Sequence, residues 1–352
     1  MSYADGLAAI NLEKTLRVPG TEYSFERHWD LVKAETGIVI TNTSSPEEQY
    51  RASQAMFKAW NVDFSWSIMH IHETDFTKRT TMGHAVFEAD GSDYSNEVVC
   101  PFKTLEEVLA FDAVEDFGQK DKAEITQRFN EDYKKRCDYT PDAVNMTGLY
   151  VSLMSGLIEL FGWDMLLMGM GVNPQQFGHV TNRYAEWILQ YFEALAACDA
   201  TVVMVHDDIV WTSGTFCHPD WYREFIFPNY KKLFRPLIDA GKKIMYTSDG
   251  TYTMFLDDVV NCGVNGLVFE PTTDMKVFAE KYGKTHVFVG NADTRILLQG
   301  SKEDIYNEVK RCMDIGKDCP GFFMAVGNHI PANTPLENAL YYNECYQKLG
   351  QR

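Results

Sequence analysis

Residues 201–208 read TVVMVHDD and residues 243–249 read KIMYTSD. Each is a short apolar, β-branched run, too short for a helix, that ends in a polar cluster. The first closes on His206, Asp207 and Asp208, the second on Ser248 and Asp249. Between them His218-Pro219 opens a helix, with proline at the first helical position where its missing N–H costs nothing. Working outward, the same order recurs at Gly266–Phe269, His286–Val289 and Gly321–Val326. Their polar followers are Glu270, then Asn291 and Asp293, then Asn328 and His329. Upstream, Val144–Thr147 leads through Gly148 to a long helical region, and Ser67–Met69 runs into His70, His72, Glu73 and Asp75.

Strand, polar cluster and helix thus repeat five times in the C-terminal half, which implies parallel strands with right-handed crossovers. The expectation is a (β/α)₈ TIM barrel, an α/β fold whose chemistry sits at the C-terminal ends of the strands. The boundaries expected are one catalytic domain over residues 1–352, with an N-terminal extension over about 1–30 and a β-hairpin insertion near 76–100 turning at Asp90-Gly91. A doubly wound open sheet is the alternative; no glycine-rich dinucleotide or phosphate-loop fingerprint supports it. Helix starts are marked by Ser45-Pro46-Glu47-Glu48, Asn173-Pro174, Ser301 to Asp304 and Thr334-Pro335-Leu336-Glu337.

The formal net charge of −18 argues against nucleic acid and anionic membranes as partners. Eight scattered cysteines without a Cys-x-x-Cys pair read as reduced thiols of a cytoplasmic protein. The first 14 residues do not pattern as a signal peptide. The longest apolar stretch, 149–172, is interrupted by Glu159, Asp164 and glycines, so it is not expected to span a bilayer.

Carboxylates and histidines dominate the expected site. Asp207 and Asp208 suit a general acid, metal ligands or helix caps; Asp249 sits in a tight turn before Gly250. Glu270 is held extended by Pro271 and either lines the pocket or forms a salt bridge. His329, on a loop after the last strand, suits an acid, a base or a ligand, whereas His206 at a strand end reads equally as a satisfied core histidine. His70-x-His72 has the spacing of residues facing one way, which one hydrogen-bonded histidine explains as well. Trp66, Tyr150, Trp211 and Tyr246 are expected as aromatic walls of a pocket for a small, flat organic ligand, with Phe64 and Tyr252 nearby.

Several segments carry a resemblance: Leu16-Arg17-Val18-Pro19, Pro101-Phe102-Lys103, Val205-His206-Asp207-Asp208 and His218-Pro219-Asp220-Trp221-Tyr222-Arg223-Glu224-Phe225. Others are Pro228-x-Tyr230-Lys231-Lys232-Leu233, Tyr246-x-Ser248-Asp249-Gly250, Gly290-Asn291-Ala292-Asp293 and Pro331-x-x-Thr334-Pro335-x-Glu337-Asn338. Together they resemble the uroporphyrinogen decarboxylase superfamily, which includes corrinoid-dependent methyltransferases. That resemblance implies the same barrel. The decarboxylase branch carries an arginine-bearing N-terminal signature that Arg17, Arg27 and Arg51 do not form. The thiol-methylating branch holds zinc with a His-x-Cys pair and a later cysteine; here Thr247-x-Asp249 and Asn328 stand at those positions. The resemblance then implies a third job, moving a methyl group from a methoxylated, aromatic substrate to the Co(I) of a corrinoid protein. For that O-demethylation the catalytic residues expected are Asp208, Asp249, His329 and His206. The substrate-binding set is His70, His72, Trp66, Tyr150, Trp211, Tyr246, Glu270, Asn291 and Asn328. The cofactor is a corrinoid carried by a partner protein; where a Lewis acid takes the place of a proton, it is a zinc ion on Asp208, Asp249, Glu270 and His329. A homodimer is the implied assembly. A thiol methyltransferase, a decarboxylase and a catalytically inactive binding protein are the rival readings.

Overall fold

The computed structural model describes residues 2–81 and 98–352, together with the backbone of 86–87 and 93–94. Strands in chain order are β1 (Phe64–Ser65), β2 (Met69–His70), β3 (Val86–Phe87), β4 (Asp93–Tyr94), β5 (Val144–Asn145) and β6 (Thr147–Tyr150). They continue with β7 (Val202–His206), β8 (Val210–Trp211), β9 (Gly214–Thr215), β10 (Lys243–Ser248), β11 (Gly266–Phe269), β12 (Val287–Val289) and β13 (Phe322–Phe323). The chain gathers into two compact units: Met1–Trp66, Lys134–Asn145 and Gly266–Arg352 form the first, Ser67–Tyr133 and Met146–Asn265 the second.

In the first unit β11, β12 and β13 pair in parallel, with Leu267 opposite Phe288 and Val289 opposite Phe323. β1 pairs in parallel with β5, Phe64 opposite Val144. Residues from the expected N-terminal extension belong to this sheet: Gly20 bridges Met324 in parallel, the Thr21 amide donates to the Met324 carbonyl, and the Asp63 amide donates to the Gly20 carbonyl. Asp63 explains the capture. Its buried carboxylate accepts from the Arg17 guanidinium at 2.6 Å, the Gly20 amide at 3.0 Å and the Ser2 amide at 3.0 Å. Such charge-assisted bonds satisfy a group that would otherwise be costly to bury.

The second unit holds the parallel order β2–β6–β7–β10, with Met69 opposite Leu149, Thr147 opposite Val203 and Tyr246 opposite Val205. Residues 202–205 are buried on both faces, as expected of parallel strands covered on two sides. Gly148 lets β6 and β7 approach, since a Cβ there would lie 2.2 Å from the Met204 carbonyl oxygen. β3 and β4 pair antiparallel, the hairpin expected near 76–100; its Asp90-Gly91 turn lies outside the described residues. Helix Met154–Val172 is, among the described residues, the one helix long and apolar enough to cross a membrane. It is largely buried, and Gly162 (φ 72°, ψ 164°) breaks it.

Ser45 and Ser301 form full capping boxes with Glu48 and Asp304, and Asn173 and His218 cap the helices that their prolines open. Thr334 does not cap: the helix begins at Leu336 after Pro335, and the Thr334 hydroxyl is buried without a partner. The strand expected over 144–147 is split at Met146 into β5 and β6.

Candidate functional site

The register that sets Thr247 opposite His206 brings the ends of β7 and β10 level, so the residues just past them are neighbours. Consecutive residues in extended chain point to opposite sides, and this separates the two aspartates. Asp207 turns inward and caps the helix at Met154: it accepts from the Met154 amide at 2.9 Å, the Ser155 amide at 2.7 Å and the Tyr230 hydroxyl. Burial pushes its pKa up, while those three donors pull it down. Asp208 turns the other way. Its amide donates to Ser155 Oγ at 2.6 Å, and its Oδ1 lies 3.0 Å from His206 Nε2 and accepts from the Asp249 amide at 2.8 Å.

The loop bearing Asp249 is held against the β8–β9 hairpin. The Thr251 amide donates to the Trp211 carbonyl at 3.1 Å. Gly250 (φ +82°) would place a Cβ 2.6 Å from that same oxygen, so only glycine fits this crossing.

Ligand atoms of His206, Asp208 and Asp249 lie within 4.8 Å of one another. Burial lowers the His206 pKa, but the charge and hydrogen bond of Asp208, with Asp249 and Asp207 behind them, outweigh it and leave it raised. Two carboxylates this close favour a cation between them, either the imidazolium or a metal ion. Tyr150 stands edge-on to His206 with ring centroids 4.3 Å apart. Burial and the charges of Asp208 and Asp249 raise its pKa, so it stays a neutral phenol. His206 Nδ1 is buried without a hydrogen-bond partner. One imidazole and two carboxylates are the donor types that zinc accepts in catalytic sites with an open fourth position. The donor set therefore fits a hard or borderline divalent ion, held by His206, Asp208 and Asp249.

The other candidates are distributed as follows. His70 is exposed, its ring 4.7 Å from Tyr150. His72 caps the turn Glu73–Asp75 through the Thr74 amide, so the two histidines do not act as a pair. Trp211 is 43% exposed and clusters with Trp163 and Phe216. Tyr246 is fully buried, its hydroxyl donating to the Asp207 carbonyl at 3.0 Å; Phe64 and Tyr252 are core as well.

In the first unit Asn328 Nδ2 donates to Glu270 Oε1 at 2.8 Å, and exposed His329 meets Ser24 Oγ through Nδ1 at 2.7 Å. Asn291 is an interior brace: it donates to the Glu270 and Thr273 carbonyls and accepts from Arg311. Trp66 packs edge-on against Tyr23. The grouping of ligand atoms among the described residues is thus His206 with the two aspartates, while Glu270 and His329 are engaged elsewhere. Sequence reasoning gave no site role to Ser155, nor to Tyr230 beyond its place in a motif, although both hold the aspartates, because helix-borne groups reach the strand ends only after folding.

A parallel α/β arrangement with polar groups following the strand ends defines the class, that of (β/α)₈-barrel folds. Residues 132–349, well over half the chain, match the uroporphyrinogen decarboxylase (URO-D) family. The chain belongs to that family. Among curated relatives, uroporphyrinogen decarboxylase of Geobacter metallireducens is 25% identical over 190 residues, 54% of each chain. That of Thermus thermophilus is 28% identical over 168 residues, 48% of this chain and 47% of its own. The chain spans about half the length of the curated relatives it matches. Among solved structures, a methyltransferase from Methanosarcina mazei covers 98% of both chains with a TM-score of 0.64 at 18% identity, a likeness of fold.

Proposed function

We propose that the protein is a methyltransferase that takes the methyl group from a methoxylated, aromatic substrate and passes it to the Co(I) of a corrinoid carried by a partner protein. The observation that carries the reading is the His206–Asp208–Asp249 grouping, built from nitrogen and oxygen donors with no thiolate among them. Activation of a thiol acceptor favours a thiolate-rich zinc site. Methyl ethers pose the opposite problem, because the departing oxygen is a poor leaving group. In the step proposed, the CH₃–O bond breaks with its electron pair left on oxygen. The proton held by the His206–Asp208 pair goes to that oxygen, and the Co(I) electron pair forms the new bond to carbon. A zinc ion on the same three residues would supply Lewis-acid polarisation of that oxygen instead. Asp208 keeps His206 charged and oriented, and Tyr150 closes one side of the imidazole with a neutral ring.

The URO-D relatives favour a second reading, decarboxylation of a polycarboxylate. Against it, Arg17 is spent on Asp63 and Asp5, and Arg51 on Glu47. The test is a spectroscopic assay of cob(I)alamin with a panel of methoxylated aromatics, a thiol arm, a porphyrinogen arm and metal content on the same sample. Methylcobalamin formed from an aromatic ether, and lost in Asp249→Asn, supports the reading. Activity confined to the porphyrinogen or thiol arm refutes it.

A further inference from the structure

A separate grouping lies wholly in the first unit, where the chain leaves the Gly20–Thr21 segment that bridges Met324. The Ile330 amide donates to the Tyr23 carbonyl at 3.0 Å, tying this segment to the Asn328–Ile330 loop. Ser24 adopts a left-handed conformation (φ 61°), and its hydroxyl meets His329 Nδ1 at 2.7 Å. The Tyr23 ring is edge-on to Trp66, with centroids 4.9 Å apart, and to His329, with centroids 6.4 Å apart. Yet the Tyr23 hydroxyl, buried among these groups, has no hydrogen-bond partner. A buried donor without an acceptor is destabilising. Phenylalanine would fill the same space without that cost.

We propose that Tyr23, Trp66 and His329 form a binding subsite for a flat aromatic ring carrying an uncharged oxygen substituent, which accepts a hydrogen bond from the Tyr23 hydroxyl. The ring packs against Trp66, which is partly exposed and yields to admit it. Burial, and the charge of neighbouring Glu22, raise the Tyr23 pKa well above its ordinary value, so the hydroxyl keeps its proton and acts as a donor. The subsite goes beyond the methyl-transfer reading, because binding here requires no turnover.

The test is calorimetric titration of 4-methylphenol and toluene, which differ by one hydroxyl, into wild type, Tyr23→Phe and Trp66→Ala. Wild type is expected to bind 4-methylphenol about tenfold more tightly than toluene, the worth of one hydrogen bond. Tyr23→Phe should erase that preference while keeping toluene binding, and its melting temperature should hold or rise. Trp66→Ala should weaken both ligands. The proposal is overturned if wild type binds neither ligand or shows no preference, if Tyr23→Phe retains the preference, or if it melts lower than wild type, which marks a structural hydroxyl. Methyl transfer is judged separately, by methylcobalamin formation, so either idea can fail alone.

Discussion

Replacing Asp208 with asparagine removes one charge while keeping an acceptor oxygen where Oδ1 now sits. Asparagine can still accept from the Asp249 amide, 2.8 Å away, and the backbone stays anchored by the Asp208 amide to Ser155 Oγ at 2.6 Å. What disappears is the charge facing His206 at 3.0 Å, the foremost of the influences that raise the imidazole pKa against its burial. In Asp208→Asn burial is opposed only by the more weakly acting Asp249 and Asp207, so the His206 pKa should fall. Loss of a positioned general acid lowers turnover by roughly 10²–10⁴-fold. Stability should change by no more than about 1 kcal/mol, because the pair is partly solvated, with the His206 and Asp208 side chains 12% and 32% exposed, and solvent screens it. The repulsion between Asp208 and Asp249 is relieved at the same time. The assay is methylcobalamin formation across pH 5–9, beside thermal melts of the same samples. The basic limb of the wild-type profile should move to lower pH in the variant. Turnover within about threefold of wild type, with an unmoved pH profile, would refute a proton-donating His206.

The neighbouring aspartate should behave in the opposite way: Asp207→Ala strands the Tyr230 hydroxyl and the Met154 and Ser155 amides in the core. A loss of about 3 kcal/mol or more in denaturant unfolding is expected, and a loss below about 1 kcal/mol would contradict the capping role. Gly250→Ala forces a Cβ to 2.6 Å from the Trp211 carbonyl at φ +82°. It should cost about 2 kcal/mol and disturb Asp249, seen as weakened turnover along with a lowered melting point. Glu22 is buried, and burial lifts its carboxyl to about 8 despite bonds from the Tyr342 hydroxyl and the Val326 amide. The folded state therefore holds a proton that the unfolded state releases above about 4.5. Stability should fall by up to about 1.4 kcal/mol per pH unit from there to pH 8. Glu22→Gln should flatten that slope in denaturant titrations across pH 5–8.5; an unchanged slope assigns it to other groups.

Most of the architecture was legible because its signals are local. The Ser45–Glu48 and Ser301–Asp304 capping boxes and the β7, β10, β11 and β12 runs each depend on a few adjacent residues, and all appear within a residue or two of expectation. The strand at 144–150 and the N-terminal segment were less legible. One is split at Met146, and the other joins the sheet because Asp63, distant in sequence, captures Arg17 and Gly20.

By itself the sequence determined the alternation of strand and helix, the parallel order this implies, and the polar residues that follow each strand. Periodicity and turn chemistry are properties of neighbouring residues. Only the tertiary structure decided which polar groups gather beyond the strand ends and which serve the interior. Asp207 and Asp208 are adjacent and identical in type, yet one meets two helix amides and Tyr230 while the other meets His206 and the Asp249 amide. Tyr246 and Asn291 were equally plausible as pocket residues until their hydrogen bonds placed them in the core. The reason is physical: a side chain's role follows from the partners that folding brings to it across tens to hundreds of residues, and no local pattern encodes those partners.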